Sequence, residues 1–313
     1  MRILYRAAVL CSAGVVLANS VSAQPHTPAL LISPQQLARE LKDPSLVLLH
    51  VGPRDDYDAG HVAGARYITP QDLAATAVPG MPLLELPDEA VLRARLEQLG
   101  IGDDSKVVVI TGVNMLQSST RVVWTLQAAG LGAQTRLLEG GNEGWKRAGF
   151  TVTRDAPLAA VPARLTVKGD RSVVVDHAWV QARLGTPGLH LLDARLPEFY
   201  EGPGMTDSRG VKRTAGHIPG ARNVPFSRLF NESLQFLPPE SLQRVFADAG
   251  VQAGDTVVAY CHIGQQATVV LFAARLLGHP VKLYDGSFTD WDARKLPVDN
   301  PSAPRPPDMP ARP

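Results

Sequence analysis

The feature that most constrains the fold of this chain is an internal repeat. Residues 33–50 align without a gap with residues 176–193, matching Ser33 to Asp176, Leu37 to Val180, Leu41 to Leu184, Pro44 to Pro187 and His50 to Asp193. GHVAGAR at 60–66 then matches GHIPGAR at 216–222, and LGIGDDSKVVVIT ending at Thr111 matches AGVQAGDTVVAYC ending at Cys261. LLEGGNEGW ending at Trp145 matches LYDGSFTDW ending at Trp291. Blocks kept in one order through both halves mean two copies of a single domain. The spacing between blocks differs most at 201–214, an extra stretch in the second copy that reads as a surface insertion.

Within each copy, apolar β-rich runs alternate with helical patterns. Val47–His50, Val107–Ile110 and Arg136–Leu138 read as buried strands, with Leu189–Leu192, Val257–Tyr260 and Val281–Tyr284 as their counterparts. Ser33–Pro34 and Asp176 are helix starts, and residues 119–129 and 265–277 read as crossover helices that follow strands directly. This rhythm predicts an α/β fold of two domains, each a mainly parallel sheet flanked by helices. The domains are placed at 24–155 and 156–297, joined by an Ala/Pro-rich linker over 153–164 and followed by a proline-rich tail at 298–313.

The first 23 residues read as a secretory signal: Arg2 and Arg6 open it, Ala7–Leu17 is apolar, and Val21-Ser22-Ala23 offers a small-residue cleavage site. An uncleaved anchor is the competing reading, but Asn19-Ser20 interrupts a stretch already short of the roughly 20 apolar residues a span needs. The expected location is periplasmic or secreted, with no membrane contact after cleavage. With 31 Lys+Arg against 30 Asp+Glu and 45% hydrophobic residues, the chain has neither the charge of a nucleic-acid binder nor the apolar deficit of a disordered protein.

Cleavage would remove Cys11 and leave Cys261 as the single cysteine. Cys261 closes the strand Val257–Tyr260, and Cys-His-Ile-Gly-Gln-Gln leads into a helix. Open parallel sheets build their sites at the carboxyl ends of strands. A loop that turns its N–H groups inward at a helix start favours a thiolate over a thiol. An inert buried cysteine is the bland alternative, yet the aligned position in copy one is Thr111, so the thiol belongs to one loop only. A cysteine phosphatase would need an arginine six residues on, where Ala267 stands. One cysteine and scattered histidines show no metal-ligand spacing, and no cofactor is expected.

The ordered motifs LLDAR at 191–195, GHIPGA at 216–221, the strand-ending cysteine with glycine in its loop, and YDGSFTDW at 284–291 together resemble the tandem-domain rhodaneses, a family of sulfurtransferases. Copy one, through AGHVAGA and LLEGGNEGW, is similar to that family's inactive amino-terminal half. The resemblance implies two rhodanese-like domains and a Cys261 persulfide. It implies that the backbone of His262, Ile263, Gly264, Gln265 and Gln266 cradles the sulfur, and that Arg195 binds the donor anion; a salt bridge holding the strand end is the alternative for Arg195. His217 and Asp285 fall in motifs that are more often structural. The implied partners are a small anionic sulfur donor (thiosulfate or 3-mercaptopyruvate) and a thiophilic acceptor such as cyanide, a thiol or a sulfur-accepting protein. A non-turnover sulfur carrier is the alternative function. The loop after Cys261 is neither basic nor small and polar, so the donor stays open. Arg209, Lys212 and Arg213 in the insertion are candidate lid cations or simply solvated.

Overall fold

The computed structural model describes residues 29–78, 83–202, 205–206, 212–213 and 216–300. The expected signal segment, Arg209 and the tail beyond Asn300 lie outside the described residues. The first copy carries strands β1 (Leu31–Ile32), β2 (Leu46–Val51), β3 (Arg66–Ile68), β4 (Lys106–Thr111) and β5 (Thr135–Leu138). Its helices are α1 (Pro34–Glu40), α2 (Arg54–Ala59), α3 (Glu89–Gln98), α4 (Leu116–Leu126) and α5 (Gly141–Arg147). The second copy carries β6 (Val174–Val175), β7 (Leu189–Asp193), β8 (Met205–Thr206), β9 (Lys212–Arg213), β10 (Arg222–Asn223), β11 (Thr256–Tyr260) and β12 (Val281–Tyr284). Helices α6 (His177–Gln181), α7 (Pro197–Tyr200), α8 (Pro239–Asp248), α9 (Ala267–Leu276) and α10 (Ser287–Ala293) accompany them.

The two large sheets have one topology. Strand order is β1-β5-β4-β2-β3 in the first and β6-β12-β11-β7-β10 in the second, and every pairing in both is parallel. The mainly parallel α/β architecture expected from the repeat is observed, and both large sheets are parallel throughout. Its central strands are unbroken apolar runs because both faces are covered by helices. The insertion folds over part of its length as an antiparallel pair, β8 with β9.

Local signals set the element boundaries. Ser33 and Gln36 form a reciprocal capping box on α1, with N–H to oxygen distances of 3.2 and 3.0 Å, and the Asp176 carboxylate accepts from the Trp179 N–H at 2.8 Å to start α6. Helix α4 begins at Leu116, earlier than the sequence pattern indicates, and then widens into a π turn over Gln127–Leu131. Its periodicity was obscured because Ser118, Ser119, Thr120 and Arg121 are all buried, against a different domain rather than in water. The linker region is fastened to the first domain: the Ala163 N–H donates to Glu97 O, and the Asp103 carboxylate takes the N–H groups of Thr166 and Val167. At the other end Asp299 bridges His217 through both backbone groups, so the start of the expected free tail is pinned to the second domain.

The core is organised by strand alternation. Leu48, Val108 and Ile110 point to an outer cluster in the first domain, and Leu191, Val258 and Tyr260 to its equivalent in the second. The opposite faces of both sheets feed one continuous cluster that runs through α4 and α9 and joins the domains. Both helices are buried nearly all round, which explains why α9 reads Ala-Thr-Val-Val-Leu-Phe-Ala-Ala with no polar stripe. Cys261 lies on this inner face.

Candidate active site

Cys261 follows directly on β11 and is 1% exposed. Its N–H donates to Ser287 Oγ at 3.2 Å and its carbonyl accepts from the Phe288 N–H at 2.9 Å, which ties the cysteine to the start of α10. The His262 carbonyl is held likewise, by the Thr289 N–H at 3.1 Å and Thr289 Oγ1 at 2.6 Å. With these carbonyls fixed outward on α10, the loop turns back at Gly264, where φ is +74°. A Cβ there would lie 2.9 Å from both Arg121 Nη1 and Asp285 O, so glycine is required for space as well as for backbone sign.

The N–H groups of Ile263, Gly264, Gln265 and Gln266 donate to no acceptor among the described residues. A run of unspent amides at a helix start is an anion-binding surface, and here it adjoins a cysteine. The sequence-derived cradle is thus brought together at the carboxyl edge of the sheet. The His262 ring packs edge-on against Phe199, with centroids 4.7 Å apart. Gln265 reaches out of the domain, donating through Nε2 to Ser118 Oγ at 2.7 Å.

Arg195 lies beyond the end of β7, completely buried. Its Nε and Nη2 clasp the Asp193 carboxylate at 2.5–3.0 Å, Nη2 also donates to Gly216 O at 2.7 Å, and the guanidinium carbon sits 4.0 Å from the Phe288 ring centroid. Burial alone would weaken the guanidinium's hold on its proton. The Asp193 carboxylate more than reverses this, with smaller help from Tyr260 and Cys261, and the group titrates above its ordinary range. Most of the fork is therefore committed to the ion pair, and Nη1 is the donor left without a partner among the described residues. Among the described residues no group of three or more His, Cys, Asp or Glu side chains is placed to hold a metal.

The sequence alone did not single out the groups that the first domain brings to this loop. Arg121, on α4, donates from Nη1 to Asp285 Oδ1 at 2.6 Å and to Gly264 O at 3.3 Å. Thr120 and Thr268 meet across the same interface at 2.9 Å. An arginine at the edge of the apolar run Val122-Val123-Trp124 of α4 was the available signal.

The rhodanese-like domain family model matches residues 33–148 and again 176–294. The chain is 35% identical over 277 residues to a protein of Pseudomonas aeruginosa named as a probable 3-mercaptopyruvate sulfurtransferase, covering 84% of this chain and 95% of that one. It is 34% identical over 245 residues to a putative thiosulfate sulfurtransferase of Mycobacterium tuberculosis, covering 76% and 82%. Its fold is similar to the crystal structure of the Escherichia coli 3-mercaptopyruvate enzyme, with a TM-score of 0.69 at 25% identity over 83% of this chain and 98% of that one. A duplicated parallel-sheet unit with one cysteine-bearing loop defines a tandem-domain sulfurtransferase. The chain belongs to the rhodanese-like family and is a rhodanese-type enzyme.

Proposed function

We propose that Cys261 is the sulfur-carrying nucleophile and that the donor is thiosulfate or 3-mercaptopyruvate, held by Arg195 and the amides of residues 262–266. The observation that carries this is the run of unspent N–H groups from Ile263 to Gln266 beside a thiol at the strand end. With thiosulfate, the Cys261 thiolate attacks the outer sulfur, the S–S bond of the donor breaks, and sulfite leaves with the bonding pair. The terminal sulfur of the resulting persulfide is anionic, and the amides stabilise it without any neighbouring base. Attack on that sulfur by cyanide, a thiol or a partner protein's thiol returns the thiolate. The unpartnered Nη1 of Arg195 supplies the charge-assisted bond to the donor's oxygens.

Incubation with each donor in turn should add the mass of one sulfur atom to the protein, and Cys261→Ser should abolish the adduct and turnover. Sulfur loading that survived in the Ser variant would sink the assignment. Comparing kcat/KM for the two donors reads the preference, and comparing cyanide with protein thiols as acceptors separates a turning-over enzyme from a carrier. The basic start, apolar run and Val21-Ser22-Ala23 site support export, in which case the exported protein begins at Gln24. Amino-terminal sequencing that found Met1 retained would refute this.

A further inference from the structure

The domain without the cysteine supplies a group to the loop that has it. Arg121 is 2% exposed and stands on α4, yet its guanidinium crosses the domain boundary to meet Asp285 Oδ1 and the Gly264 carbonyl. Its Nη2 is anchored at home on Leu84 O. The other oxygen of Asp285 is engaged from the same side, accepting the Leu86 N–H at 2.8 Å. Repeat symmetry does not account for the pair: the positions matching Arg121 and Asp285 in the other copies are Leu271 and Glu139, and no ion pair joins those two.

We propose that Arg121 is a positioning residue for sulfur transfer, fixing the Gly264–Gln265 peptide so that the Gln265 N–H faces the Cys261 sulfur. The peptide unit is planar and trans, so its C=O and N–H point in opposite directions. Capture of the Gly264 oxygen by Arg121 therefore directs the next N–H to the other side of the loop. Asp285 keeps the guanidinium in place, and the Gln265 side chain, bonded to Ser118, holds the same peptide from its far end. A free loop of this kind would rotate that peptide readily, because glycine tolerates either sign of φ. This role rests on the function proposed for Cys261, and it makes the silent domain a structural participant in the reaction.

The test uses the full chain. Arg121→Met removes the guanidinium, and Arg121→Met with Asp285→Asn removes the charge on both sides while retaining an acceptor for the Leu86 N–H, which avoids stranding a buried carboxylate. The readouts are the pH profile of Cys261 alkylation by iodoacetamide, kcat/KM for the better donor, and thermal stability. Among the described residues, the other titratable and charged groups on or around the loop and this pair, His262, Arg195, Asp193, Glu85, Asp290 and Arg294, are unchanged in both variants. In each folded variant the alkylation profile should move to higher pH, and kcat/KM should fall roughly 10- to 100-fold through misplacement of the amide. Arg121→Lys, which keeps charge without the fork, should recover part of the loss. A folded double variant with the wild-type alkylation profile and wild-type kcat/KM would overturn the proposal. So would failure of both Met variants to fold, which would make Arg121 a residue of the fold rather than of the loop. Absence of sulfur loading in the wild-type chain would instead break the assignment of Cys261, and the alkylation profile separates the two failures.

Discussion

The loop after β4 and the loop after β11 are the same device in two states. Both leave a central strand on the inner face, both turn at a left-handed residue, Asn114 with φ +54° and Gly264 with φ +74°, and both run into the helix that seals the domain interface. The scaffolding around them is also shared. Tyr57 stacks on His61 and Tyr200 on His217, each pair at 3.7 Å, and each tyrosine hydroxyl donates to an alanine carbonyl, Ala65 or Ala221. Trp145 and Trp291 each donate to a backbone carbonyl six residues on. What differs is the filling. In the first copy the residue before the stacked tyrosine is Asp56, whose carboxylate accepts the Val113 N–H at 3.1 Å. In the second that position is Phe199, and the corresponding Ile263 N–H is unspent. Gly52 stands where the second copy has Arg195, and a Cβ there would already press on Gly112 Cα at 2.9 Å. The first domain has kept the shape of the loop and set a carboxylate of its own against it.

The sharpest way to break this comparison is to move the nucleophile. In a Cys261→Ser background, Thr111→Cys should show no sulfur loading by mass spectrometry, because the loop's Val113 amide is already taken and Gly52 stands in the place of Arg195. Loading at 111 would show that a thiol alone makes the loop work.

The next largest effect falls on Arg195. Removing it leaves Asp193 buried without its counter-charge, so Arg195→Ala should cost about 3–5 kcal/mol in urea unfolding, besides its effect on donor binding. Arg195→Lys should cost less, having kept the charge. A change within a few tenths of wild type would mean that the pair is not what holds the end of β7.

His50 occupies in the first copy the place of Asp193 in the second, and it too is fully buried. Burial draws its imidazole down from 6.5 to about 4, against the opposing pull of Asp56 at 3.4 Å. The unfolded chain takes up a proton near pH 6.5 that the folded chain refuses until about pH 4, so this site's contribution to stability is lost as pH falls through that window. The loss should approach about 3 kcal/mol, and His50→Leu should be free of it when unfolding is measured at neutral pH and near pH 4. Parallel pH profiles for the two proteins would mean that His50 takes up its proton alike in the folded and unfolded chains.

The smallest effect sharpens the comparison most. Phe199→Asp sets a carboxylate at the working loop where Asp56 sits in the silent one, and a nearby negative charge disfavours the thiolate. Alkylation of Cys261 at neutral pH should slow roughly tenfold, the order expected of one like charge placed beside a reactive group. An unchanged rate would show that the carboxylate is incidental to the silence of the first domain.

Much of this was legible in the residues. The repeat gave two domains of one kind; unbroken runs such as Val107-Val-Val-Ile gave parallel strands covered on both faces; and a strand-ending cysteine ahead of a glycine gave the candidate site and the loop around it. These are properties of local pattern and period, which a sequence displays directly. Arg195 was legible as a residue near the site, with a salt bridge at the strand end as the alternative, but its partner Asp193 was not, since that depends on a shared burial two residues apart. Arg121, Ser118 and the blocking Asp56 were not visible, although each stands in plain sequence. Their roles depend on which chain segments meet when two sheets pack through α4 and α9, and on where a carboxylate falls relative to an amide 57 residues away. The sequence by itself determined the fold of each domain and the place of its cysteine at a strand end, because hydrophobic period and strand-end position are local. Only the tertiary structure decided that the Ile263 amide is unspent while its counterpart at Val113 is taken by Asp56, because hydrogen-bond partners are chosen by packing in three dimensions.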